Sequence, residues 1–341
     1  MNRDHTIDYL RAIGLYAIIL AHIASPWALH QLRNFDVPLM VFISGISFSL
    51  SKTSSGPYLK YAWSRIKRLL FPVWIFLTLF FALSSLTHVF GDYSFEVILE
   101  SFTLSEGIGY VWIIQIFIIV SLLAPFLSFI VDRTLPIRWL PIALLCSMLI
   151  FSMIFLNLGP ETRSFFSLNY FARAFINALF YSHIFIFGMI VKRLSFTYLE
   201  SSFLVLLTGF TLICYYLYMS TGGYVSTQFY KYPPTFYYFS YAIGVSLVLY
   251  VLIKYSPYNL NGPIRSVVLF TARNSIWIYL WHIAFLKVLQ TYSLYWVFKY
   301  PLVLCASVVI VFCQYYFLET YVFPMIKSKK TLRNIKLCLT G

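Results

Sequence analysis

The sequence predicts an all-α integral membrane protein of about ten transmembrane helices in one bundle. Of its 341 residues 60% are hydrophobic, 21% aromatic and only 11% charged, too little polar surface to solvate a water-soluble globule of this size. Apolar runs close to the length that crosses a hydrocarbon core recur from residue 7 to residue 323, with no long polar stretch between them. The cations fall between those runs with a strong bias to alternate loops.

Apolar run length and the polar, Pro or Gly breaks place the helices at 7–27, 36–51, 69–88, 110–131, 138–157, 172–191, 202–219, 236–254, 273–290 and 300–322. The first follows a short charged segment, Met1 to Asp8, and is expected to be a retained helix, because no small-residue cleavage site closes it. The second opens at Asp36 with Pro38 near its first turn. The third follows the basic stretch Tyr61 to Arg68, and the fourth follows a loop, His88 to Tyr110, that carries Asp92, Glu96, Glu100 and Glu106 without one Lys or Arg. The ninth starts at Arg273. With the N-terminus inside, 18 of the 25 Lys and Arg lie in cytoplasmic segments, six lie outside and Arg11 lies in the first helix. The positive-inside bias therefore expects both termini of a multi-pass membrane protein on the cytoplasmic side. Residues 1–323 form the expected transmembrane domain, and 324–341 form a basic cytoplasmic tail expected to lie along anionic headgroups.

The formal charge of +14 does not point to nucleic acid, because the cations are dispersed between apolar spans instead of gathered on one soluble face. Cys146, Cys214, Cys305, Cys313 and Cys338 are scattered singly without CxxC spacing, and read as packing residues. No metal-ligand pattern is expected. No internal repeat or low-complexity segment is evident.

Ionisable residues at membrane depth are candidates for function because charge there is costly. The first helix carries Asp8, Arg11 and His22; eleven residues are about three turns, so Arg11 and His22 share a face, roughly 16 Å apart along the axis. Asp8 and Arg11, three apart, can pair. The bland reading is a helix-end ion pair with a satisfied buried histidine; the combination favours function. Arg65 and Arg68 also share one helix side at the cytoplasmic boundary, and read equally as a positive-inside anchor or as bidentate phosphate ligands. Asp36 reads equally as an N-cap and as a carboxylate that orients His22. Trp277, Tyr279 and Trp281 can be interfacial packing, yet His282 lies about a third of the way into its helix, which an aromatic belt does not explain. His183 is expected to make a helix-to-helix hydrogen bond.

These residues resemble the acyltransferase-3 family of membrane O-acyltransferases, surface-polysaccharide and fucose-type O-acetyltransferases among them. The resemblance covers nearly the whole chain. It rests on Asp8-Tyr-Leu-Arg11 with His22 after ten residues, Phe35-Asp-Val-Pro38 running into Phe42-Ile-Ser-Gly45, and Arg65-Ile-Lys-Arg68-Leu-Leu-Phe-Pro72. Trp112, Lys231-Tyr-Pro-Pro234 and Ile278-Tyr-Leu-Trp-His282 also fit. It implies a ten-helix core, an acyl-CoA donor (acetyl-CoA foremost) reached from the cytoplasm, catalytic roles for Arg11 and His22, and Arg65 and Arg68 on the donor. Asp8, Asp36, Trp112 and His282 are candidates for the acceptor site or for support of the base. Many relatives have histidine where this chain has Asp36. No fused extracytoplasmic esterase-like domain is expected.

Chemistry gives the same emphasis to His22. An alcohol attacking a thioester must lose its proton as the bond forms, a task suited to neutral histidine. Arg11 can stabilise the thioester oxyanion if the donor reaches down the helix face; otherwise it positions CoA phosphate or pantetheine. No serine stands in a G-x-S-x-G elbow and the cysteines lack basic partners, so direct transfer is expected over an acyl-enzyme. The expected partners are acyl-CoA, a sugar or lipid-linked saccharide and membrane lipids. The alternatives are a transporter or flippase of a lipid-linked saccharide, which would show broken helices at matched positions, and a polysaccharide polymerase, which would show a long charged extracytoplasmic loop.

Overall fold

The computed structural model describes residues 5–51, 57–134, 136–256, 260–290 and 292–340. Among them the chain forms the helices α1 (Thr6–Ala21), α2 (Trp27–Leu32), α3 (Asp36–Leu50), α4 (Tyr58–Thr87), α5 (Phe95–Phe102), α6 (Trp112–Thr134), α7 (Leu140–Leu156), α8 (Pro160–Leu168) and α9 (Tyr170–Ile190). They continue as α10 (Phe196–Thr221), α11 (Phe236–Tyr255), α12 (Gly262–Arg273), α13 (Ser275–Leu289), α14 (Trp296–Phe317) and α15 (Lys329–Leu339). Each of the ten predicted segments falls on one of them. Among the described residues six helical stretches are long and apolar enough to cross a membrane, and α7 and α13 are apolar but shorter. The protein is an all-α, multi-pass membrane protein.

Three boundaries differ from expectation for physical reasons. The first helix stops at Ala21 instead of 27, because Pro26 disfavours helical backbone just before it and the chain turns at His22 to Ile23. The third begins at Tyr58, eleven residues early, so Arg65 and Arg68 lie inside a continuous 30-residue helix. Pro72 is tolerated within it, as prolines are in membrane helices where neighbours re-satisfy the freed carbonyl. Segments read as loops hold α5, α8 and α12.

The contacts group the chain into two compact units, both discontinuous: residues 1–10, 31–55 and 119–259 form unit 1, and 11–30, 56–118 and 260–341 form unit 2. In unit 1, α3 packs on α9 through two glycines. A Cβ on Gly45 would collide with the Phe185 carbonyl, and one on Gly188 with the Phe42 carbonyl. Small residues here let two backbones touch, the usual device where lipid supplies no hydrophobic drive between helices. The α10–α11 pair closes on Phe210 stacked over Tyr237, centroids 5.2 Å apart. His183 on α9 corrects an expectation: its Nδ1 meets the Leu179 carbonyl of the same helix at 3.0 Å, not a neighbouring helix.

In unit 2, α13 packs against α14 and α4. The Trp281 indole N–H donates to Gln314 Oε1 on α14 at 2.9 Å, and the same ring meets Phe76 of α4 edge-on. The tail helix α15 folds back onto this unit. Trp277 Nε1 donates to the Cys338 carbonyl, Gln314 Nε2 to the Leu339 carbonyl, and Lys67 Nζ to Asn334 Oδ1 at 3.0 Å. Lys336 pairs with Glu319 at 3.0 Å. One side of α15 is thus part of the protein's packing, while Lys329, Lys330 and Arg333 stay exposed.

Candidate active site

Unit 2 gathers six of the eight candidate residues: Arg11, His22, Arg65, Arg68, Trp112 and His282. Asp8 and Asp36 belong to unit 1.

His22 stands in the turn just past the last residue of α1, its N–H bonded to the Ile19 carbonyl at 3.2 Å. His282 is fully buried in the middle of α13. Their rings lie nearly parallel, centroids 5.1 Å apart and planes 17° from each other, with His22 Nδ1 at 2.8 Å from His282 Nε2. The protons can be assigned from the partners. His282 Nδ1 meets the Tyr279 carbonyl, which can only accept, so that nitrogen carries hydrogen. Neutral His282 then has its lone pair on Nε2, and His22 Nδ1 must donate to it. The remaining His22 nitrogen, Nε2, therefore bears the lone pair.

Tyr110 completes the surroundings. Its ring meets His22 edge-on, centroids 4.8 Å apart, and its carbonyl accepts from the Tyr279 hydroxyl. Tyr279 thus holds both ends: its carbonyl sets the His282 tautomer and its hydroxyl anchors the segment carrying Tyr110. Trp112 opens α6 two residues further on. Outside the helices, burial raises the Tyr110 hydroxyl above the ordinary tyrosine range, so it stays protonated at neutral pH. Lys287, on the last turn of α13, points its Nζ over the rings of Tyr93 and Tyr110, 5.9 and 5.8 Å from their centroids.

The cations gather about three turns of α1 away. The Arg68 guanidinium is within electrostatic reach of both Arg11 and Arg65, and Arg65 lies over the Tyr61 ring, 5.0 Å from its centroid. Three cationic side chains thus stand in one region of unit 2. With about 16 Å along α1 between Arg11 and His22, the arginines and the imidazoles are separate stations of one helix.

In unit 1 the Asp8 carboxylate meets His5 Nδ1 at 3.2 Å. Asp36 is the first residue of α3, with Phe35 in the capping position; its Oδ1 still accepts the Val37 N–H at 2.7 Å. The buried carboxylate also pairs with Arg33 at 2.9 Å and with Lys231 Nζ at 3.7 Å. Burial pushes the Lys231 amine below the usual lysine range, and Asp36 pulls it part of the way back. Gln31 and Asn34 tie the same stretch to Ser226 and Thr227.

Sequence reasoning missed Tyr279, Tyr110 and Lys287. Tyr279 stands three residues before His282, a helical neighbour, but nothing in the spacing marks its carbonyl as the group that sets a tautomer. Among the described residues no group of three His, Cys, Asp or Glu is placed to hold a metal ion.

Residues 4–316 match the family model described as an acyltransferase domain. Comparison with curated proteins and with solved structures finds no match.

Proposed function

The chain belongs to the acyltransferase-3 family, and from that premise we propose that it transfers an acyl group, acetyl foremost, from acyl-CoA to a sugar hydroxyl of a surface polysaccharide or its lipid-linked precursor. The observation that supports the reading is the His22–His282 pair, a geometry suited to His22 Nε2 acting as the base.

In the proposed reaction the acceptor hydroxyl oxygen attacks the thioester carbonyl carbon as His22 Nε2 takes the hydroxyl proton. The positive charge that develops on His22 is spread through its Nδ1–H to the His282 lone pair, and the C-terminal end of α1 adds partial negative charge beside the ring. When the tetrahedral intermediate collapses, the C–S bond breaks and the leaving thiolate takes the proton from His22. The His282–Tyr279 contact supports one ring orientation throughout, as a third group does in hydrolase triads.

Arg11, Arg65 and Arg68 are assigned to the donor phosphates. An oxyanion donor must lie within hydrogen-bond reach of the developing charge. The distance along α1 places Arg11 too far from His22 for that, whereas the extended pantetheine arm of CoA is suited to bridge the two stations. The protein is assigned to a bacterial inner membrane with both termini cytoplasmic, in line with the cation distribution.

The test is acyl-CoA turnover by purified protein, which separates an enzyme from a transporter. His22→Ala should bind CoA as wild type does and lose transfer by about a hundred to ten thousand-fold, roughly 3–5 kcal/mol of barrier. The double substitution Arg65→Ala with Arg68→Ala should weaken CoA binding instead. A well-folded His22→Ala protein within a fewfold of wild-type activity rules the base assignment out.

A further inference from the structure

We infer that Lys287 is an acceptor-binding residue and that the acceptor carries an anionic group, a phosphate or a carboxylate, beside the hydroxyl that is acylated. The inference rests on the acyltransfer reading above and deepens it.

The Lys287 side chain is half-buried on the last turn of α13, the helix that carries His282. Its Nζ is placed only by the faces of Tyr93 and Tyr110, and no carboxylate or hydrogen-bond acceptor of the described residues pairs with it. Ring faces attract an ammonium but satisfy none of its three N–H donors. An apolar, partly desolvated setting raises the cost of leaving such donors unspent, so the site is suited to an anion arriving from outside. Its place indicates which substrate carries that anion. The Lys287 ammonium lies over the Tyr110 ring, and that ring makes a T-shaped contact with His22, so an anion held by Lys287 would lie near the base. The arginines that fit the donor phosphates lie at the other station of α1, which leaves Lys287 for the second substrate. The acidic residues of the adjacent loop are engaged elsewhere in two cases: Asp92 pairs with His88 at 2.6 Å, and Glu100 accepts the Gly107 N–H at 3.2 Å.

The test uses a strain deleted for the gene and complemented with wild type, Lys287→Gln or Lys287→Arg, with O-acylation of its glycan read by mass spectrometry. Membrane levels and CoA binding of the purified variants control for folding. Lys287→Gln should lower acylation to a tenth or less of wild type, and Lys287→Arg should keep a third or more. The acylated unit, or its direct neighbour, should bear phosphate or carboxylate; acylation present only in the lipid-linked fraction names a lipid phosphate, and acylation of a uronic-acid unit in released glycan names a sugar carboxylate. The charge claim is tested by the wild-type product alone, whether or not a variant accumulates, and a neutral acylated unit with neutral neighbours overturns it. So does a Lys287→Gln strain within twofold of wild type, or an Arg variant as inactive as Gln with CoA binding intact. Equal loss of acyl transfer to water by purified Lys287→Gln would assign the amine to the reacting carbonyl and overturn the acceptor role. If wild type itself restores no acylation, the acyltransfer reading fails first and takes this one with it.

Discussion

At the scale of single residues, two histidines 260 positions apart are joined by one hydrogen bond, in which the His22 Nδ1–H donates to the His282 Nε2. A lone buried imidazole can satisfy itself on any carbonyl, as His183 does on Leu179. His282 uses that same contact to free its second nitrogen for His22. The proposed support role predicts a specific pattern of rates. His282→Ala should lower acyl transfer by about a hundredfold, and His22→Ala combined with it should be no slower than His22→Ala alone, because the two act as a unit. His282→Gln should recover part of the loss, since its Oε1 can still accept the His22 Nδ1–H. Independent, multiplying losses in the double variant would show that His282 only packs.

At the scale of elements, helix ends and helix contacts decide where chemistry stands. Pro26 ends α1 early and leaves His22 at its C-terminal turn, where partial negative charge can stabilise a developing imidazolium. In unit 1, Gly45 and Gly188 set the α3–α9 distance, each backbone lying where the other's Cβ would be. Gly45→Ala should therefore lower stability by about 1–3 kcal/mol, as overpacking does when the obstacle is backbone that cannot rotate away. Thermal unfolding in detergent, compared with the same change at Gly223, where an added Cβ meets nothing, reads the difference. Equal midpoints for the two variants would mean that the helices have room to separate.

For the molecule as a whole, the segregation of charge carries orientation. Cysteine substitutions at Lys60, Lys329 and Glu96, all exposed positions, should label from opposite sides of the membrane: the two lysine positions from the cytoplasm, the glutamate position from outside. Labelling of Lys60 and Glu96 from one side would contradict the proposed topology, since Lys60 lies in the first turn of α4 and the apolar remainder of that 30-residue helix separates it from Glu96. The same experiment bears on substrate supply, because the proposed donor arginines Arg65 and Arg68 are on the Lys60 end of α4.

Composition and run length alone determined the class, since 60% hydrophobic residues leave no soluble alternative and each apolar run had to become a helix to satisfy its own backbone. The shared face expected for Arg11 and His22 rested on a helix continuing to residue 27, whereas α1 ends at Ala21 and His22 lies in the turn beyond it. Helix ends were not legible, because Ala21 and Tyr58 are boundaries set by turn geometry and by packing of the basic stretch onto α15. Nor was the partner of His22. Sequence offered Asp36 as a carboxylate that could orient His22 and His282 only among the candidates for the acceptor site or for support of the base; the fold brings the His282 Nε2 to 2.8 Å from His22 Nδ1 and pairs the Asp36 carboxylate with Arg33 and Lys231. The reason is range: periodicity relates residues a few positions apart on one helix, whereas a hydrogen bond across 260 residues depends on how helices pack.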